Sequence, residues 1–251
     1  MITKKKQQSF LNKEGESLLK HIELYLRKRS MSDLHRFRVS CKHINMLVWL
    51  NRKITGDTSI QTTFLPVKNI FRISGQIREV QMHLHLLSPY RTKIQTLIPD
   101  LSKEEKKLEN NLLNQGLKGL KEIRSSLAAL PDLTSTISGK DVKKLIEKEI
   151  RKIHSELDPA MSAEDLHKVR KRIKTLVYLT DLGKTSDVDR TYLHRCEELI
   201  GEWHDINLLN AYLNSKKDIP KSLLKEFDRK EQKLLNKIAT EFHRFKRKVM
   251  R

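Results

Sequence analysis

Ser30-Met-Ser-Asp-Leu-His-Arg-Phe-Arg-Val-Ser-Cys-Lys42 and Ser162-Ala-Glu-Asp-Leu-His-Lys-Val-Arg-Lys-Arg-Ile-Lys174 are two copies of one pattern. Ser, Asp-Leu-His, Arg and Lys recur at the same spacing in both. A charged pattern this specific, repeated so far along the chain, points to duplication of a whole folding unit. Each copy opens with the S-x-x-D form of a capping box, so each begins a helix. Successive helical residues turn by about 100°. On that wheel Leu34, Phe37, Cys41, Ile44 and Val48 share one face, and Leu166, Val169, Ile173, Leu176 and Thr180 share the matching one. These are core stripes.

His35, Arg38 and Lys42 form a second stripe, centred about 100° from the apolar one. His167, Arg170 and Lys174 repeat it. Both stripes flank the core and do not point straight away from it. Arg36 and Lys168 lie on the far side and read as ordinary solvated charges. Three cations on one stripe repel one another, and partial burial raises the cost. A bound polyanion resolves the conflict: Arg grips phosphate oxygens bidentately, Lys supplies a mobile charge, and His adds a pH-sensitive donor. The competing reading neutralises the stripes with carboxylates from neighbouring helices, and Glu79 and Asp205 are the candidates for it.

A weaker pair follows each copy in the same order: Ser74-Gly-Gln-Ile-Arg-Glu-Val80, then Ile200-Gly-Glu-Trp-His-Asp-Ile206. Gly, a cation or His three residues on, a carboxylate and a β-branched residue recur. Gly costs roughly 1 kcal/mol against Ala inside a helix. Close helix–helix approach at Gly75 and Gly201 is the expected compensation.

The 251 residues are 33% charged and 37% hydrophobic, with only 8 Gly and 6 Pro. That balance, without alternating β-branched runs, predicts an all-α protein. Eight amphipathic segments read at 15–29, 32–51, 66–87, 101–129, 140–157, 163–182, 187–214 and 220–249. Pro66, Pro99-Asp100, Pro131-Asp132, Asp158-Pro159, Gly183 and Pro220 are among the turn signals between them. A short extra helix is expected at 89–98. Residues 1–13 read as a flexible N-terminus, and 14–251 as one domain of two four-helix repeats, 14–131 and 139–251. The expected architecture is two four-helix bundles related by internal pseudo-two-fold symmetry.

A net charge of +20 repels itself, and the usual reasons for it are nucleic acid, an anionic membrane surface or another polyanion, set against a generally basic soluble protein. Cys41 and Cys196 offer neither a disulfide framework nor zinc-ligand spacing. His83 and His85 are two apart on a helix and point to nearly opposite sides. There is no H-E-x-x-H, Gly-rich phosphate loop or G-x-S-x-G. The reading is therefore a non-catalytic protein without metal or cofactor. No signal peptide or long apolar run is present, which reads as cytoplasmic with no membrane partner. Aromatics at 6% are thin for stacking single-stranded bases. The basic run from His243 reads as a solvated helix end.

At these residues the sequence resembles the CHAD family, the conserved-histidine α-helical domains. Their signature, His-x-x-Arg-Val-x-x-Arg/Lys-Arg in each half and then Leu-Gly-x-x-Arg-Asp, is similar to His35, Arg38, Val39 and Lys42, and to His167, Arg170 and Lys174. Gly75, Arg78 and Glu79 are similar to the later motif, as are Gly201 and Asp205, with His204 in the Arg position. The likeness runs from about residue 15 to 249. It implies two four-helix bundles facing a basic cavity, binding of inorganic polyphosphate, and location on polyphosphate granules for some members. The polyphosphate-binding residues implied are His35, Arg38, Lys42, Arg78, His167, Arg170, Lys171, Lys174 and His204, with Glu79 and Asp205 supporting. The further Arg of the family signature is missing after each copy; Lys171 and Arg172 compensate in the second. Glu14-Gly-Glu16-Ser-Leu lacks the Lys of the triphosphate-processing domain that some relatives carry, so the chain reads as a stand-alone binding module. The expected partner is polyphosphate or another phosphate or sulfate polyanion. The alternative is a nucleic-acid-associated or scaffold protein binding through general basic surface charge.

Overall fold

The computed structural model describes residues 1–157, 162–183, 188–243 and 245–249. Those residues are helical, with one isolated bridge and no strand among them. The expected all-α class holds. The chain divides into two compact units, residues 1–138 and 139–251.

The first unit holds four long helices, α1 (Lys4–Lys28), α2 (Met31–Thr55), α4 (Leu65–Leu87) and α5 (Leu97–Ala129), and the short α3 (Ser59–Thr63). α1 packs on α2, α2 on α4, α4 on α5 and α5 back on α1, a closed four-helix arrangement. α1 reverses into α2 across two residues. Arg29 takes the left-handed conformation at φ 52° and returns its N–H to the Tyr25 carbonyl, a helix stop that Gly more often supplies. Ser30 then caps α2 by accepting the Asp33 N–H.

The N-terminus corrects the expectation of a flexible 1–13. α1 starts at Lys4, capped by the Thr3 hydroxyl. Ile2 and Ile137 exchange backbone hydrogen bonds of 2.9 and 3.0 Å. Buried Gln7 donates to the Ser135 carbonyl and accepts from Asn51, whose amide oxygen takes the Ser135 N–H. The polar look of this stretch misled because its Gln satisfies a buried polar network. By the same contacts residues 132–138 belong to the first unit.

Other boundaries moved for local reasons. α2 runs on to Thr55, and its Gly56 stop lies at φ 76°. Pro99, read as a turn, sits in the first turn of α5, where a missing N–H costs nothing. The short helix expected at 89–98 is a 3-10 turn over Ser88–Lys93.

The second unit holds α6 (Gly139–Glu156), α7 (Ala163–Gly183), α8 (Arg190–Asn214), α9 (Lys221–Phe242) and the short α10 (Phe245–Val249). α6 packs on α7, α7 on α8 and α8 on α9, while α10 packs on α6 and α8. The single segment expected at 220–249 is thus two helices. The Asp158-Pro159 turn and the start of the 187–214 segment lie outside the described residues. All ten residues of the two predicted core stripes are buried.

Candidate functional site: two basic stripes

The core stripe of α2 fixes which way its cations point. With Leu34, Phe37 and Cys41 sealed in the first unit, Arg38 lies against α4. Its Nη1 donates to the Phe71 carbonyl at 3.0 Å and the Ser74 hydroxyl at 2.9 Å. The guanidinium carbon lies 4.4 Å from the centre of the Phe71 ring. A methyl group on Gly75 would stand 3.3 Å from Nη1. Gly75 therefore makes room for an arginine head; the expected close approach of two helices is not what it serves. Phe71, Ser74, Gly75 and Arg78 fall at i, i+3, i+4 and i+7, one face of α4.

Arg38 is half-buried, yet both its acceptors are neutral. Its proton affinity is lowered by burial and by the Arg78 charge. His35 is lowered by burial first, then by Arg78, Lys42 and Arg38. The charges acting on it are all positive, so His35, Arg38, Lys42 and Arg78 form one cluster across α2 and α4. Glu79 does not join it. Glu79 is raised by burial and by Glu104 of α5, a like charge. Its expected supporting role toward the stripe is not what these contacts provide.

Only half of each capping box forms. Ser30 and Ser162 accept the N–H of Asp33 and Asp165. The Asp33 carboxylate instead meets Nδ1 of buried His21 on α1 at 2.8 Å, and Asp165 accepts from Ser162 and Lys168. Lys168 also pairs with Glu164, in keeping with a solvated charge.

In the second unit α7 presents His167, Arg170, Lys171 and Lys174. His167 is lowered by burial, then by Lys171, Arg170 and Lys174. Its ring lies 5.2 Å from that of His204 on α8. His204 is pushed down to about 4 by burial, Arg170, His167 and Lys174. The sequence places all five of these groups together, and the structure brings them together. Arg170 is lowered by burial and raised back by Asp205 and Glu197, so Asp205 is the one expected supporting carboxylate that reaches its stripe. Arg170 Nε and Trp203 Nε1 are buried and form no hydrogen bond among the described residues.

Arg172, read as compensating for a missing Arg, is committed elsewhere. It forks onto Glu156 at 2.7 Å from two nitrogens and reaches buried Glu149 at 3.0 Å. It ties α7 to α6. Nothing crowds Gly201, where an added methyl meets no atom within 4 Å, so the packing role expected there is absent.

A family model described as the CHAD domain matches residues 10–214. The chain belongs to the CHAD family. The fold is similar to the crystal structure of the CHAD domain from the plant Ricinus communis, with a TM-score of 0.69 at 12% identity over 94% of this chain and 90% of that one. It is also similar to PptA from Streptomyces chartreusis, with a TM-score of 0.64 at 12% identity over 98% of both chains. No curated protein matches the sequence. CHAD domains are a binding family whose known property is polyphosphate binding, and a polyphosphate-related role follows at that level. No helix among the described residues is long and apolar enough to cross a membrane, and none of their His, Cys, Asp and Glu gather as a metal site would require. The CHAD match ends before α9, so the last long helix must be read from its own residues.

Sequence reasoning missed Phe71 and Ser74, the groups that hold Arg38. The signal was the i, i+3, i+4, i+7 face around Gly75. It also missed His21, which engages Asp33.

Proposed function

We propose that this CHAD protein binds inorganic polyphosphate without catalysis, through the basic stripes of its two repeats. Arg38, Arg170 and their neighbours His35, Lys42, Arg78, His167, Lys171, Lys174 and His204 hold the phosphate oxygens. The observation that carries the reading is the state of Arg38. Protein groups fix its guanidinium in place, but its acceptors are a carbonyl and a hydroxyl, which leave the charge uncompensated. Arg172 on the same kind of helix is matched by two carboxylates, as a structural arginine is. A preorganised, uncompensated cation suits an anion that arrives from outside.

Linear polyphosphate carries the negative charge density that a group of cations demands, and the family supplies its prior. Binding of this kind would also concentrate the protein on polyphosphate granules. A fluorescent fusion tests that: granule signal is expected for the parent chain, and diffuse signal for Arg38→Gln/Arg170→Gln.

The net charge of +20 favours a second reading, general attraction to nucleic acid. A competition experiment separates the two. Labelled polyphosphate is bound at physiological salt, then challenged with duplex DNA or RNA at matched phosphate concentration. The expected result is weak displacement by nucleic acid and full displacement by unlabelled polyphosphate. Equal displacement by all three would make the protein a general polyanion binder.

A further inference from the structure

α9 carries a second set of cations that belongs to neither motif. Lys221, Lys225, Arg229, Lys233 and Lys237 recur at every fourth position, and all five are exposed. Each step of four residues climbs about 6 Å and turns about 40°, so the row runs some 24 Å along the helix as a slow spiral. Like charges at this spacing weaken a helix.

The acids of α9 do not relieve the row. Glu226 pairs with Lys230 at 3.1 Å. Asp228 accepts from Asn210 of α8 at 3.0 Å, and Glu231 accepts from Asn207 and Asn210, both at 2.8 Å. Glu241 is taken by Arg195 and Lys248. Among the described residues no carboxylate lies within 4.0 Å of the five cations. Single exposed cations elsewhere do pair with acids, Arg124 of α5 with Glu23 of α1 and Arg151 of α6 with Glu147. On α9 the acids just named engage partners outside the row.

The row also has a shape. Arg229, Lys233 and Lys237 form one wall of an open groove of about 760 Å³, and Arg195 and Leu199 of α8 form the other. Glu241 also lines the groove and is paired with Arg195, so the uncompensated cations facing it are those of α9. The exposed residues of α9 include no aromatic ring on which bases could stack, Phe227 and Phe242 being buried. A base-free polyanion loses nothing by that.

We infer that the α8–α9 face is a second polyanion track, taking a linear polyphosphate segment along Lys221, Lys225, Arg229, Lys233 and Lys237. α9 lies beyond residues 10–214, which the family model matches, and the face shares with the motif stripes only the class of ligand.

The test uses the full chain, polyphosphate of defined length, and the variant Lys225→Gln/Arg229→Gln/Lys233→Gln/Lys237→Gln. Gln keeps the helix preference and removes the charge. The expected result is a loss of at least about tenfold in affinity for long chains, with a log-affinity against log-salt slope shallower by about 3. The matching Arg and Lys exchange, Lys225→Arg/Lys233→Arg/Lys237→Arg, retains affinity. Neutralising Lys103, Lys106, Lys107 and Lys118 on α5 removes the same charge and changes affinity by less than about threefold. Combined with Arg38→Gln/Arg170→Gln, the α9 variant abolishes the binding that the motif variant leaves. The inference is overturned if the α9 variant matches the parent, if the α5 variant loses as much, or if the motif variant alone leaves nothing to remove. It is also overturned if duplex DNA occupies the track as well as polyphosphate does. A surviving motif site with a silent α9 would fail this inference alone.

Discussion

Two arginines on equivalent kinds of helix show how one residue type is put to opposite uses. Arg172 fills a fork between Glu149 and Glu156, and its charge is spent inside the protein. Arg172→Ala would leave Glu149, which is 6% exposed, with only the looser Lys152 pair at 3.9 Å, and lower stability by about 1–3 kcal/mol. Denaturant melts check this, and polyphosphate affinity is expected to stay within about twofold. Arg38 is held by neutral groups, which leave its charge uncompensated. Spacing alone ranked these arginines poorly, because a helical wheel gives direction but not which carboxylate waits there. It offered Glu79 as a partner for the cations, and the family likeness offered Arg172 as compensation for a missing Arg, whereas their contacts are Glu104, a like charge, for the first and Glu149 and Glu156 for the second.

The histidines set the pH response at the same scale. Burial and neighbouring cations hold His35 and His167 below the ordinary histidine value, and His204 down at about 4. They are therefore largely neutral in the free protein at pH 7. A phosphate chain favours the charged ring and raises these values, so binding takes up protons and tightens as pH falls. Affinity is expected to rise about three- to tenfold between pH 7.5 and 5.5 at constant ionic strength. The rise is expected to flatten in His35→Gln/His167→Gln/His204→Gln. Titration in buffers of different protonation enthalpy would count the protons, and a pH-independent affinity would remove the histidines from the site.

At the scale of the element, the two motif glycines part company. Gly75 borders the Arg38 guanidinium at 3.3 Å, while Gly201 borders nothing within 4 Å. Gly201→Ala is expected to stabilise the protein by about 0.5–1 kcal/mol through helix preference alone, with binding unchanged. Gly75→Ala displaces the arginine head, so it gains less stability and weakens polyphosphate binding. Thermal melts and binding on both variants check the contrast.

Helix type and order were legible at this scale because long amphipathic runs carry a strong period. The core stripes of α2 and α7 were readable residue by residue. Helix ends were less so. Arg29 stops α1 in a conformation that sequence assigns to Gly, Pro99 enters a first turn, and Gln7 extends α1 through a buried network with Asn51 and Ser135. Each depends on tertiary partners that no local pattern records.

For the whole molecule, the charge of +20 was the first hint of a polyanion partner, and it was the least specific. What narrows it is distribution. Cations that could have been paired are collected into stripes on α2, α4 and α7 and into a row on α9, while carboxylates are drawn off to other contacts. Net charge predicts attraction to any polyanion with steep salt dependence. The stripes predict that particular residues carry it.

That difference is read most directly by polyphosphate affinity in two charge-matched variants at physiological salt. One is Arg38→Gln/Arg170→Gln, and the other is Lys103→Gln/Lys107→Gln on α5, with helicity and melting checked in both. The motif variant is expected to lose at least about tenfold in affinity, and the α5 variant less than about twofold. Equal losses, or an unchanged motif variant, would contradict the assignment of the stripes as the polyphosphate site.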